Sequence, residues 1–104
     1  YKNFILWKRR MDMKYFEFDK HEYWALVAAE TLEKAYEVYA EEVACDSVEQ
    51  VKVEGEPKEK LKLDAHEMYV LAIRKEDKET SLVEITEDFM KLKNTTVLIT
   101  SELA

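Results

Sequence analysis

TLEKAYEVYAEEV, residues 31–43, is the stretch on which the fold turns. Leu32, Tyr36, Tyr39 and Val43 stand at i, i+4, i+7 and i+11 with Ala35 beside them, the recurrence expected of one apolar helix face. Thr31 stands where an N-cap belongs, and Asp46 and Ser47 end the pattern. The spacing therefore predicts the main helix over 31–45. On its other face lie Glu30, Glu33, Glu37 and Glu41. Glu33/Glu37 and Glu37/Glu41 are like-charge pairs at i,i+4, each costing about 0.2–0.5 kcal/mol, and Lys34 relieves only part of this. At a rise of about 1.5 Å per residue these carboxylates stand roughly 6 Å apart along the axis, a row that imitates phosphates or meets a basic partner. A solvated polar face is the plainer reading of the same residues.

Upstream of this helix, Met13 to Asp19 alternates, with Phe16 and Phe18 on one side and Tyr15 and Glu17 on the other, so it reads as a strand with one apolar face. Residues 19–22 form a polar turn, and Tyr23–Ala29 returns as the second arm of a hairpin, its alanines leaving the boundary with the helix open. Downstream, residues 47–53 place valines at 51 and 53 and read as a short strand. Glu54-Gly55-Glu56-Pro57 holds the only glycine and the only proline and marks a turn. Asp64 and Glu67 have the form of a capping box, which predicts a helix over 65–75. A rival reading makes 68–74 and 82–85 a hairpin, because Tyr69, Val70 and Ile73 favour sheets. Leu82, Ile85, Phe89 and Leu92 recur at helical spacing over 81–92, and residues 95–100 form a β-branched closing strand.

These elements predict a single α+β domain over 13–104. Its antiparallel sheet has about four strands, with the helix at 31–45 and further helices packed on one face. The 104 residues fit one core, and two Trp, six Tyr and four Phe supply its bulk without metals or crosslinks. Cys45 is the only cysteine, which excludes an intrachain disulfide and suits a reducing cytoplasm. The longest apolar runs are far shorter than the roughly 20 residues of a membrane span, and nothing has the form of a signal peptide.

The segment 1–12 is read apart from the domain. In one reading Met13 is the native start and 1–12 is a translated leader or non-native sequence. In the other, 1–12 is an N-terminal extension that docks Phe4, Leu6 and Trp7 on the body. Net charge is −7 for the chain and −10 once Lys2, Lys8, Arg9, Arg10 and Asp12 are set aside. An acidic body argues against direct binding to nucleic acid or anionic lipid, which need a basic footprint.

No motif for catalysis, cofactor or metal emerges. His21-Glu22 and His66-Glu67 lack the second histidine four residues on that a zinc-protease helix needs, since Ala25 and Val70 stand there. Both histidines read as solvated polar residues. Cys45 has no assembled base in the sequence, and Gly55 sits between glutamates with no phosphate-cradling loop. No catalytic, cofactor-binding or metal residues are nominated; Glu30, Glu33, Glu37 and Glu41 are the candidate partner-binding residues.

In its length, lone glycine, Lys/Glu richness and β-branched ending, the stretch 13–104 resembles small accessory proteins of Gram-positive bacteria, their phages and mobile elements. The resemblance rests on texture and carries over no functional residue. It implies a protein that acts by contact, sometimes as an inhibitor of host machinery. The leading expectation is a non-enzymatic protein-interaction or accessory domain with a protein partner, able to pair as a homodimer through a sheet edge or the aromatic N-terminal segment. The alternatives are an acidic inhibitor competing with nucleic acid for a basic channel, and a small enzyme with an unfamiliar site.

Overall fold

The computed structural model describes residues 13–99. The readings of 1–12 and of Thr100 lie outside the described residues. Four strands, β1 (Lys14–Phe18), β2 (Ala25–Ala29), β3 (Lys58–Lys60) and β4 (Thr95–Ile99), form one sheet in the order β3-β1-β2-β4 with every neighbour antiparallel. The helices are α1 (Leu32–Val38), which continues as a π-helical segment over Tyr39–Ala44, α2 (Val48–Glu54), α3 (Lys62–Glu76) and α4 (Leu82–Lys91). The α+β class and the antiparallel sheet are as the sequence predicts.

The helices cover both faces of the sheet, whereas the sequence placed them on one. Phe16, Phe18, Ala25, Val27 and Ala29 meet α1, its π-helical continuation and Val51 of α2. Met13, Tyr15, Leu26 and Ala28 meet Ala65 and Ala72 of α3 and Phe89 of α4. All five residues of β2 are fully buried, so its run of alanines belongs to a central strand, where small side chains let helices approach from both sides. Tyr15, assigned to the polar side of β1, is buried and stacks on Phe89 with ring centroids 5.1 Å apart. Alternation in β1 distinguishes two buried faces here, since one polar neighbour, Glu17, was enough to make a covered face look exposed.

Residues 48–54 are helical, a correction to the strand expected over 47–53. Ser47 caps this helix by accepting from the amide of Gln50 at 3.1 Å, and Val48 and Val51 turn to the core while Val53 is 79% exposed. The pairing that counts is 48/51, a helical spacing, not 51/53. Gly55 ends α2 at φ 141°, a conformation that side chains rarely adopt. The chain then returns as β3, a strand that the sequence reading did not assign. Lys58 pairs with Asp19 at 3.0 Å and Lys60 with Glu17 at 3.6 Å, diagonal partners on and beside β1. Residues 62–76 are helical, which removes the rival hairpin. The expected capping box is absent: the helix begins after Leu61, which offers no side-chain cap, and Asp64 lies inside the first turn, where a carboxylate favours the helix dipole.

Candidate functional site

The four nominated glutamates are exposed, and the tyrosines of the same helix are buried. Their row is partly neutralised from within the fold. Lys52 of α2 reaches Glu33 at 3.1 Å, and Lys34 reaches Glu37 at 3.6 Å. Glu41 stands in the π-helical segment, where the wider turn breaks the regular spacing that Glu33 and Glu37 share. The backbone amide of Glu30 donates to Asn94 Oδ1 at 3.0 Å, joining the start of this face to the loop before β4.

A different glutamate makes the most ordered contacts. Glu42 accepts from the hydroxyl of Thr95 at 3.0 Å, the amide of Thr96 at 2.9 Å and the hydroxyl of Thr96 at 2.8 Å. Burial raises the pKa of this carboxylate, but the bonds from Thr96 and Thr95 outweigh it and hold the group below the usual glutamate range. Sequence periodicity missed Glu42 because a regular α-helix puts it in no special phase, and nothing in the composition announces a π turn.

The histidines differ from the solvated residues expected. His21 is 8% exposed, its Nε2–H donates to the carbonyl of Val51 at 2.9 Å, and Phe18 and Tyr39 pack on its ring. Its Nδ1 is buried without a hydrogen-bond partner. His66 Nε2 lies 2.8 Å from the hydroxyl of Thr86, bridging α3 and α4, with Phe89 against its ring. The two histidines sit on opposite sides of the sheet, so they cannot act together. Cys45 is exposed in the left-handed conformation that ends the π-helical segment. Among the described residues no group of His, Cys, Asp and Glu could hold a metal ion, and no helix is long and apolar enough to cross a membrane.

The surface that departs most from a solvated exterior is the outer side of the α3–α4 hairpin. Leu61, Leu63, Leu71, Leu82 and Val83 are each more than half exposed, whereas the opposite helical layer exposes only Val53 to that degree among the described large apolar side chains. A groove of about 290 Å³ runs between the two helices beside Leu63, lined by Lys62, His66, Thr86, Phe89 and Met90. Helix α3 explains the pattern. Ala65 and Ala72 face the sheet, while Leu63 and Leu71 stand exposed elsewhere on its circumference.

Residues 13–99 match the family described as the YosH C-terminal domain. No curated protein and no solved structure matches the chain.

Proposed function

The chain belongs to the YosH C-terminal domain family, and from that premise we propose that it is a non-enzymatic interaction domain that binds another protein through the outer side of the α3–α4 hairpin. The observation that carries this reading is the set of exposed aliphatic side chains Leu61, Leu63, Leu71, Leu82 and Val83 on one helical layer. Large aliphatic side chains left in water are unfavourable unless a partner covers them. The family description is of a C-terminal domain, and a unit that works beside another one is a setting in which such a layer is covered. We place this activity in a bacterial or phage cytoplasm, where the single exposed thiol stays reduced.

Both sheet edges are poor places for pairing, which moves the contact to the helices. β3 has three residues, two of them lysines, and β4 is bulged opposite Leu26/Val27 and carries the Glu42 carboxylate on its Thr96 amide. The acidic-inhibitor alternative has the exposed glutamates in its favour, but Lys34 and Lys52 reduce their charge. An enzymatic alternative has the His66–Thr86 pair, which lacks an orienting carboxylate among its described hydrogen bonds.

The test substitutes Leu63→Lys and Leu71→Lys together and compares association with the unsubstituted chain, by sedimentation for self-association and by titration against any protein that the unsubstituted chain retains. Both positions are exposed, so helix content by circular dichroism should not change. The expected result is at least a tenfold loss of association. Equal association of the two chains would remove this surface as the contact.

A further inference from the structure

Asp64, Met68, Leu71 and Lys75 of α3 follow one another at spacings of four, three and four residues, the rhythm of a seam that faces a second helix. Ala65 and Ala72, each one position after a seam residue, are buried on the sheet side, whereas Glu67 and Arg74, each one position before one, are exposed. The seam therefore runs along the lateral edge of α3. Met68, Leu71, Ala72 and Lys75 surround a hollow of about 210 Å³ on this edge. Their spacing of i, i+3, i+4 and i+7 is that of the hole which one helix offers to a side chain of another. Leu71, 61% exposed, is both a wall of the hole and a side chain of the size that fills one.

We propose that this seam pairs with its own copy. The two α3 helices lie antiparallel about a two-fold axis beside Leu71, and the Leu71 of each protomer enters the hole of the other. The pairing rests on the reading of this helical layer as a contact surface and names the occupant of one part of it.

Two observations favour a copy in this orientation. A two-fold contact uses one patch twice, so the patch must carry both the knob and the hole, and the edge of α3 carries both. The second observation is charge. In an antiparallel pair equivalent flanks meet, so the exposed flank that holds Glu67 and Arg74 faces itself. Glu67 stands four residues before Leu71 and Arg74 three after, so the rotation sets each opposite the other's counterpart within about 1.5 Å along the axis. Opposite charges at these flanking positions fix partner and orientation. A parallel pair would set both residues against the flank of buried alanines, with no charge to meet. Each chain carries −7, a long-range repulsion that physiological salt screens within about 8 Å, leaving the short-range pairs in force.

The test uses the full chain carrying Cys45→Ser, at a physiological salt concentration. Sedimentation should show a monomer–dimer equilibrium. Glu67→Arg should weaken it at least fivefold, and Glu67→Arg with Arg74→Glu should restore it, because the swap returns opposite charges to the same two places. Under mild oxidation Leu71→Cys should form an interchain disulfide at least tenfold faster than Leu63→Cys. The bond needs Cα atoms within about 7 Å, and the axis keeps the two copies of position 63 about 24 Å apart along the helices. A chain that stays monomeric, a swap that restores nothing, or equal disulfide rates at the two positions would each overturn the proposal. A monomeric chain that still loses a retained protein on Leu63→Lys and Leu71→Lys would overturn this pairing alone and leave the partner surface standing.

Discussion

The carboxylate of Glu42 lies 2.9 Å from the amide nitrogen of Thr96 and 2.8 Å from its hydroxyl. Through these bonds the π-helical turn after α1 is joined to the first residues of β4, more than fifty positions later in the chain. The amide that Thr96 gives to Glu42 is one that an outer strand would otherwise present to another chain.

Protonating Glu42 should loosen this junction. Its pKa is lower folded than unfolded, because the Thr96 and Thr95 bonds outweigh burial. The sign follows: the contribution to stability is complete above the ordinary glutamate pKa and disappears as the pH falls below it through the depressed folded value. Glu42→Gln should lower stability by about 0.5–1.5 kcal/mol near neutral pH, toward the lower figure because the residue is exposed. Urea titrations at neutral and acid pH read the difference. A gap between the two chains that stays constant down to the lowest pH would show that the charge of Glu42 is not what holds β4.

Tyr39→Phe should be more costly. Its hydroxyl donates to the carbonyl of Tyr23 at 2.6 Å and accepts from the amide of the same residue at 3.3 Å, so one oxygen satisfies both backbone groups of a loop residue. Phenylalanine keeps the stack on Phe18, whose centroid is 4.4 Å away, and removes only the oxygen. Leaving the two backbone groups part-buried and unsatisfied costs about 1–3 kcal/mol. The measurement is the urea midpoint, with an unchanged slope showing that the folded state is as compact as before. An unaltered midpoint would mean that water replaces the hydroxyl without loss.

Glu33→Gln, Glu37→Gln and Glu41→Gln together should leave stability within about 0.5 kcal/mol. The substitutions remove two like-charge pairs worth about 0.2–0.5 kcal/mol each, but also lose surface ion pairs to Lys52 and Lys34 of similar size. Thermal unfolding checks the balance. The same triple variant separates the functional readings, since association through the apolar hairpin should persist in it at high salt, whereas a contact made by the acidic row should be lost.

Periodicity alone was sufficient for the elements whose burial is one-sided. The tyrosines of α1 point inward and its glutamates outward, as spacing of 3.6 residues demands, and α4 buries Ile85 and Phe89 at the same spacing. The hairpin of β1 and β2 and the final strand were legible for a different reason, through runs of aromatic and β-branched residues. What spacing could not supply was the second covered face. Leu26 and Ala28 look no different from Val27 and Ala29, and only the docking of α3 and α4 shows that both sets are enclosed.

The candidate site divides in the same way. Local sequence determined that the stretches 31–45 and 81–92 are helical and that Glu33 and Glu37 share a helix face, but not that Val48–Glu54 is helical. The tertiary structure alone decided that Glu42 belongs to β4, that His21 lies in the core against Val51 of α2, and that the leucines of α3 face outward. Each of these depends on a partner about thirty or more residues away or on the lack of one. A contact of that range leaves no period in the chain, since its energy comes from packing and hydrogen bonds formed only when the layers meet.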